Sequence, residues 1–509
     1  MHTPRADYDL AIIGGGINGC GIARDAAGRG LKVVLIEQDD LASATSSWSS
    51  KLIHGGLRYL EQFEFRLVRE SLQEREVLLR IAPHIIHPLG FILPHVAHMR
   101  PAWMVRLGLW LYDHLGGKIS LPGSRGVPFP HQVFSAGLQA SMRRGFFYSD
   151  ARVDDARLTV LNAVSAREHG AEICVRTRVM AGRRAEGAWV LELQNVDSGA
   201  KREIRAHGVV NAAGPWVKQV LDKALGISSD ARVKLIKGSH IVVPRIHAHD
   251  HAYILQNHDK RVVFIIPFEG RYSLIGTTDV DLQSLDGSRE ISAAEIAYLL
   301  DAANRFLQKA LQASDIVWSY AGVRPLYDDG EDNPAKITRD YVLKLDHAQA
   351  NANAPLLSIF GGKITTYRRL AEHALTELAR FYPQMKPAWT ASEALPGGDI
   401  KSLDQLTALL RKRYTALPAD YLHALAARHG SRATRVLDGV NRAADLGQQF
   451  GSGATLLCER EIDYCIREEW ARTAEDILWR RTKCGLHMDE AGRARAAEFI
   501  ASRVQALIG

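Results

Sequence analysis

The sequence predicts an α/β chain in three parts: a parallel sheet wound with helices, an inserted and mostly antiparallel sheet, and a helical carboxy-terminal part. Three observations predict it. Residues 8–36 read as strand, glycine turn, helix and strand. Residues 230–340 carry β-branched apolar runs punctuated by Gly, Pro and Asp. Beyond residue 393 the glycine turns stop and apolar residues recur three or four apart, the period of a helix face.

The first element is "YDLAIIGGG", residues 8–16, a buried strand ending on glycines. "INGCGIARDAAGRG" follows as a helix with small residues on its packing face, and "LKVVLIEQ" as a second strand closing on Glu37. Gly14, Gly16 and Gly19 fit G-x-G-x-x-G in the context that gives the pattern meaning. Gly14 makes the turn, Gly16 leaves room for a pyrophosphate, and Gly19 lets helix and strand approach. The free N–H groups of the helix start suit phosphate, and Glu37 suits ribose hydroxyls. This unit predicts a dinucleotide, with FAD and NAD both open.

"DDLASATSSWSSK" then supplies Thr45, Ser46, Ser47, Ser50 and Lys51. So many hydroxyls make a poor third strand and a good hydrogen-bonding loop, with a plain solvent-facing loop as the alternative. "SSKLIHGGLRYL", residues 49–60, sets Lys51, His54, Arg58 and Tyr59 around Gly55 and Gly56, which let the backbone turn or close on a ligand. A helix runs on from Leu60 until Pro83 ends it.

The middle of the chain predicts a helix over about 154–169, a strand over 171–179 and a strand over 208–213 ending at Gly214. "KGSHIVVP" with His240, "RVVFIIPFEG", and "YSLIGTTDV" with Thr277 and Thr278 form the inserted sheet. "IVWSYAGVRPL" leads into Arg324, and "ITRDYVL" carries Arg339. "LLSIFGGKITTYRRLAEHALTEL" is a second strand–turn–helix, with Gly361, Gly362, Lys363 and Thr365 at its turn. Two glycine turns suit a long cofactor held at both ends, which favours FAD over NAD. The expected fold is therefore an FAD-binding, Rossmann-like α/β region over 1–392. Its antiparallel cap lies mainly within 83–145 and 230–340, and an all-helical domain covers 393–509.

Composition bounds the rest. The chain has 509 residues, 46% apolar and 24% charged, which fits a soluble globular class. A net charge of +7 is weak evidence for any polyanion partner, and no basic stripe interleaved with aromatics suggests nucleic acid. Five cysteines without a C-x-x-C pair predict neither a metal cluster nor a disulfide framework, and fit a reducing compartment. There is no signal-like apolar run near the start and no 18-residue apolar stretch, so neither secretion nor a spanning helix is expected. Residues 100–115, "RPAWMVRLGLWLYDHL", are long enough to lie in a membrane interface, or else to fill a core or dimer contact. "LWRRTKCG" is a basic cluster facing lipid or the rest of the chain.

The stretches "IIGGGINGCGIARDAAGRG", "ATSSWSSKLIHGGLRYL", "VVNAAGPWVKQ", "IKGSHIVVPR", "IGTTDV", "AGVRPL" and "FGGKITTYRRLAEHA" together resemble the bacterial aerobic, FAD-dependent glycerol-3-phosphate dehydrogenases. The resemblance runs from about residue 6 to past 490. It implies oxidation of sn-glycerol 3-phosphate to dihydroxyacetone phosphate with noncovalent FAD. It also implies electron delivery to ubiquinone or menaquinone, and peripheral attachment to phospholipid at the cytoplasmic side of the inner membrane, part of the protein being cytoplasmic. A homodimer is implied, and no metal. Cofactor contacts implied by the resemblance are Gly14, Gly16, Ile17, Asn18, Gly19, Glu37, Thr45, Ser46, Ser47, Ser50, Lys51, Leu52, Gly214, Gly361, Gly362 and Thr365. Arg58, Tyr59, Thr277, Arg324, Arg339 and Lys363 are the implied substrate contacts.

Substrate chemistry agrees with part of this. A small dianion needs several cationic donors, and arginine can grip phosphate with two N–H groups. The C2 hydroxyl must also lose a proton. His54 and His240 are the imidazoles available, and Lys363 or Arg324 can instead stabilise the alkoxide; the sequence leaves these open. Rival readings are a glycerol-3-phosphate oxidase using oxygen, a flavin amine or amino-acid oxidase, and a dinucleotide-binding module without catalysis.

Overall fold

The computed structural model describes residues 6–328, 340–346 and 354–508, and two large sheets organise them. The first grows around β1 (Tyr8–Ile13), which pairs in parallel with β2 (Val33–Ile36) on one side and with Lys201–Asn211 on the other. Further parallel strands, Glu172–Cys174 and Leu356–Phe360, extend it at either end. β2 and Leu356–Phe360 are buried along their whole length, as strands covered on both faces must be. The link between β1 and β2 is α1 (Ile17–Gly28). Its inner face meets Leu10, Ile12, Leu35 and Val160 in one core. Parallel pairing has a direct consequence: the glycine turns after β1 and after Leu356–Phe360 leave the sheet at the same end. Ligands of such sheets bind there, outside the carboxyl ends of the strands.

The second sheet has ten strands and is mostly antiparallel, with one parallel pair between Ile86–Pro94 and His251–Gln256. Its longest pairing joins Arg232–Pro244 to Trp318–Asp328, in a register that sets Ile236 opposite Arg324 and His240 opposite Tyr320. Tyr272–Gly276 flanks the first of these, with Gly276 opposite His240. One face packs on α2 (Phe65–Ile81) and α3 (Ala102–Leu115) through Leu72, Phe91, Leu109, Tyr112 and Tyr148. The other packs on the helix Ala293–Asn304 through Leu299, Ile265 and Ile275.

Four local expectations need adjustment. The cap sheet also takes in Leu52–Ile53 and all of Arg144–Val153, so it reaches past 83–145 at both ends. The expected strand over 171–179 is two strands, Glu172–Cys174 and Thr177–Ala185, divided at Arg176, whose φ is 52°. The expected helix from Leu60 begins instead as a 3₁₀ segment, Leu57–Gln62; Phe63, at φ 59°, interrupts it before α2 starts. The carboxy-terminal part is not wholly helical. Among its helices Leu403–Arg413, Ala419–His429, Glu459–Glu468 and Glu490–Ile508 sits a short hairpin, Gln449–Phe450 with Leu457–Cys458. Gly451 and Gly453, both at positive φ, turn the chain between its strands.

Buried ion pairs join this carboxy-terminal part to the sheets. Arg157, on the helix α4 (Asp155–Glu168), meets Glu469 through both guanidinium nitrogens, and neither side chain touches water. Arg480 and Arg481 both hold Asp40, at 2.6 Å for the nearest contact of each. Lys483 pairs with Asp154 at 2.6 Å. The "LWRRTKCG" cluster therefore faces the rest of the chain rather than lipid. Removing one partner of such a pair strands the other charge in the interior. Arg157→Met is expected to destabilise the folded chain by about 3–5 kcal/mol, read as a lowered urea midpoint with the slope unchanged.

Candidate active site

The close approach of α1 to β1 creates the first half of the site. A methyl group at Gly19 would lie 1.9 Å from the Gly14 carbonyl oxygen, so only glycine permits this packing. Gly14 takes φ 112°, and its amide donates to the Ile36 carbonyl at 2.8 Å. The Gly15 amide donates to Glu37 Oε2 at 2.6 Å, and the Asp39 amide to Glu37 Oε1 at 2.8 Å. Glu37 is thus fixed at the end of β2. Withdrawal from water pushes its carboxyl up to about 7, against the pull of those two amides.

A cavity of about 640 Å³ opens over this turn. Its wall includes Gly14, Gly16, Ile17, Asn18, Glu37, Thr45, Ser46, Gly214, Gly361 and Gly362, so both glycine turns border one space. Asn18 ties them together. Its Nδ2 donates to the Gly361 carbonyl at 3.1 Å, across 343 residues of chain. Asn18 Oδ1 is buried with no hydrogen-bond partner, and a methyl group at Gly16 would meet only Ser46 Oγ, at 3.2 Å. An open helix start, a carboxylate beyond it and an unpartnered amide oxygen are what a dinucleotide with hydroxyl and phosphate groups requires. Of the remaining expected cofactor residues, Gly19, Ser47, Ser50, Lys51, Leu52 and Thr365 do not line this cavity.

Of these, Ser47 and Lys51 hold the hydroxyl-rich loop together. Lys51 Nζ lies 2.8 Å and 3.0 Å from the two carboxylate oxygens of Asp155 and donates to the Ser47 carbonyl at 2.8 Å. Its charge is spent inside the protein. Ser46 Oγ accepts from the Ile17 amide at 2.9 Å, and Thr45 Oγ1 donates to the Val323 carbonyl at 2.6 Å. The hydroxyl-rich segment therefore bridges the first glycine turn and the strand that carries Arg324.

The opposite end of the site draws on both sheets. Lys363 Nζ sits 3.9 Å from the centre of the Tyr59 ring. The His54 amide donates to Thr365 Oγ1 at 3.3 Å, so the loop after Leu52–Ile53 is pinned to the second glycine turn. Arg58 makes no hydrogen bond or ion pair among the described residues. Across the site, Arg324 donates to the Thr278 carbonyl at 3.0 Å and pairs with Asp279 at 2.7 Å, both partly exposed. Gly238 lets Arg324 and Thr277 lie together: a methyl group there would be 2.6 Å from Thr277 Oγ1 and 2.7 Å from Arg324. Arg339 lies outside the described residues.

The two candidate histidines differ. His240 Nε2 is 2.9 Å from Ser50 Oγ, and the ring stacks on Tyr320 at 4.8 Å. Burial, with Lys51 and Arg324 nearby, pushes it down to about 3, so it stays neutral. His54 is lowered by burial and by Lys363, while Asp150 opposes the shift. Sequence reasoning missed Asp150, Asp155, Asp40 and Tyr112, whose partners are remote in sequence. Gly238 carried a signal, an isolated glycine inside a strand pattern.

Comparison with known proteins matches residues 9–368 to the family described as FAD dependent oxidoreductase. Residues 388–507 match the C-terminal domain of alpha-glycerophosphate oxidase. A Pseudomonas aeruginosa protein named glycerol-3-phosphate dehydrogenase is 54% identical over 98% of this chain and 97% of its own. A Brucella abortus protein named D-erythritol 1-phosphate dehydrogenase is 51% identical over 96% of this chain and 97% of its own. Among solved structures, glycerol-3-phosphate dehydrogenase from Bacillus halodurans complexed with FAD superimposes with a TM-score of 0.72 at 26% identity, covering 99% of this chain and 95% of that one.

Proposed function

The chain belongs to the FAD-dependent glycerol-3-phosphate dehydrogenases, and from that premise we propose how its residues oxidise sn-glycerol 3-phosphate to dihydroxyacetone phosphate and where the electrons go. Bound FAD supplies the acceptor for the hydrogen and two electrons that leave C2. The cavity beneath both glycine turns holds it, with Glu37 on the ribose hydroxyls and the start of α1 on the pyrophosphate.

The observation that carries the reading is the contact of Lys363 Nζ with the Tyr59 ring at 3.9 Å, which joins the second glycine turn to the segment that carries His54 and Arg58. Arg58, Lys363 and Arg324 come from three distant segments, and of these Arg324 is paired with the partly exposed Asp279. Arg58, Tyr59 and Lys363 take the phosphate end, and Arg324 with Thr277 the hydroxyl end. Arg339, implied by the resemblance, completes this reading. His54 removes the C2 hydroxyl proton. His240, weakly basic with Nε2 engaged by Ser50, orients the site instead. The Brucella relative bears the name of another polyol phosphate, so the test compares both substrates. Anaerobic sn-glycerol 3-phosphate is expected to bleach the flavin far faster than D-erythritol 1-phosphate or glycerol. Arg324→Ala is expected to keep its flavin but lose roughly 30- to several-thousandfold in kcat/KM, equivalent to ~2–5 kcal/mol. A value within about threefold of the parent would remove Arg324 from the substrate site.

The electrons pass to quinone in this reading. Support comes from α3, since no described helix is long and apolar enough to cross a membrane. Leu109 and Tyr112 face the core, while Trp103, Leu107 and Trp110 are 68%, 56% and 50% exposed along the outer face. Phe63 and Phe65, beside the same helix, are also exposed. An amphipathic helix with outward tryptophans and flanking Arg100 and Arg106 suits a lipid interface. The homodimer and the cytoplasmic membrane face implied by the resemblance belong to the same reading.

Two further outcomes follow from these placements. Glu37 accepts from ribose only as a carboxylate, and in the free protein it titrates at about 7. Below that pH, binding must first displace a proton. FAD affinity of the apoprotein is expected to fall as pH drops from 8 to 5, approaching about tenfold per unit, and Glu37→Gln to flatten that slope; quenching of intrinsic fluorescence measures both. The double substitution Trp103→Ser, Leu107→Ser is expected to weaken liposome co-sedimentation and quinone reduction while leaving soluble-dye reduction intact. Equal loss with both acceptors would place the helix in the catalytic scaffold instead.

A further inference from the structure

Asp150 is 1% exposed, on the strand Arg144–Val153, and three groups converge on it. Arg75 of α2 donates to it at 2.7 Å, and Tyr112 of α3 donates its hydroxyl at 2.8 Å. The third is the amide of Gly55, the residue after His54. Gly55 N–H donates to the Tyr112 hydroxyl oxygen at 2.8 Å and is shared with Asp150 Oδ1 at 3.3 Å. The fit leaves no slack: a methyl group at Gly55 would lie 2.5 Å from both the Tyr112 hydroxyl and Leu72.

A buried carboxylate is costly to keep, and one arginine already pairs with it. Its remaining bonds go to one loop amide, directly and through one phenol. That loop carries His54, Arg58 and Tyr59. The other side of His54 is held by Thr365, whose hydroxyl accepts the His54 amide. The charged groups acting on His54 are Asp150 from the strand and Lys363 from the second glycine turn, with opposite effects. Lys363 in turn lies over Tyr59.

We infer that Asp150 is a positioning residue for the oxidation: with Tyr112 it fixes the Gly55 amide and so the His54–Tyr59 loop. The inference rests on the reading of His54 as the base, and it adds how that base is held in place and kept basic. The sign is explicit. Asp150 favours the protonated ring, so its removal moves His54 titration to lower pH. A weaker base follows, with the acidic limb of kcat/KM displaced to lower pH and a smaller plateau.

The test uses the FAD-loaded enzyme with ring-¹³C histidine, the His54 resonance being assigned by its loss in His54→Asn. In Asp150→Asn the His54 midpoint is expected to move to lower pH. An unmoved midpoint, or one that rises, overturns the inference. Tyr112→Phe keeps the Asp150–Arg75 pair but removes the phenol that receives the Gly55 amide. It is expected to leave the midpoint in place while kcat/KM falls about tenfold, chiefly through KM. Parent-like kinetics in Tyr112→Phe would overturn the positioning role even if Asp150→Asn failed to take up flavin. Retention of the acidic limb in His54→Asn would overturn the base assignment alone, because the ring titration reports on Asp150 independently of turnover.

Discussion

The contact between α1 and β1 constrains everything else at the site. With a methyl group at Gly19 only 1.9 Å from the Gly14 carbonyl, the helix can touch the strand only as glycine. That contact aims the free amides of the helix start into the cavity and brings Asn18 within reach of Gly361. The second turn is equally tight: a methyl group at Gly362 would lie 2.8 Å from Asn18 Nδ2. Small residues are used here for proximity rather than flexibility. The two halves of a long ligand site, far apart in sequence, are held in register by a single side-chain amide.

Around this apolar, closely packed centre the protein places its charges with care. Lys51 and Asp155 neutralise each other beneath the hydroxyl-rich loop, and Glu74 with Arg368 does the same between α2 and the helix that follows the second turn. Buried pairs of this kind add little net stability over apolar side chains of equal volume, but they penalise any arrangement that separates them. Here they fix the loops that line the site. The cations at the proposed substrate end are differently situated. Arg324 keeps only a partly exposed partner, and Arg58 none among the described residues.

Legibility in the sequence followed the range of the interactions. The turn at Gly14–Gly19 and the turn at Gly361–Gly362 were readable because their meaning is local: glycine spacing between a strand and a helix. The β-branched runs announced the second sheet for the same reason. Lys51 was read as a cofactor contact, and nothing near it in sequence reveals that its side chain pairs with Asp155, 104 residues on. The "LWRRTKCG" run stayed open between lipid and the rest of the chain because its counter-charge, Asp40, lies more than four hundred residues earlier. For residues 100–115 the pattern showed two faces but not which one was covered. Tyr112 settles that, since its hydroxyl is committed to Asp150 and Gly55.

The double grip of Arg480 and Arg481 on Asp40 also bears on how this chain can change over generations. Asp40 stands within the segment that lines the cofactor cavity, between Asp39 and Ala42, and its partners sit 440 and 441 positions away. A neutral residue at 40 would take from both arginines their shared buried partner, leaving Arg480 with Glu475 and Asp476 and Arg481 with Glu469. A neutral residue at 481 would halve the charge that answers the aspartate. Substitutions at these positions are therefore expected to be non-additive, because the cost of each depends on the partner it leaves behind. The carboxy-terminal part is thus coupled by charge to the segment beside the cofactor cavity, so a change at one end of the chain is felt at the other.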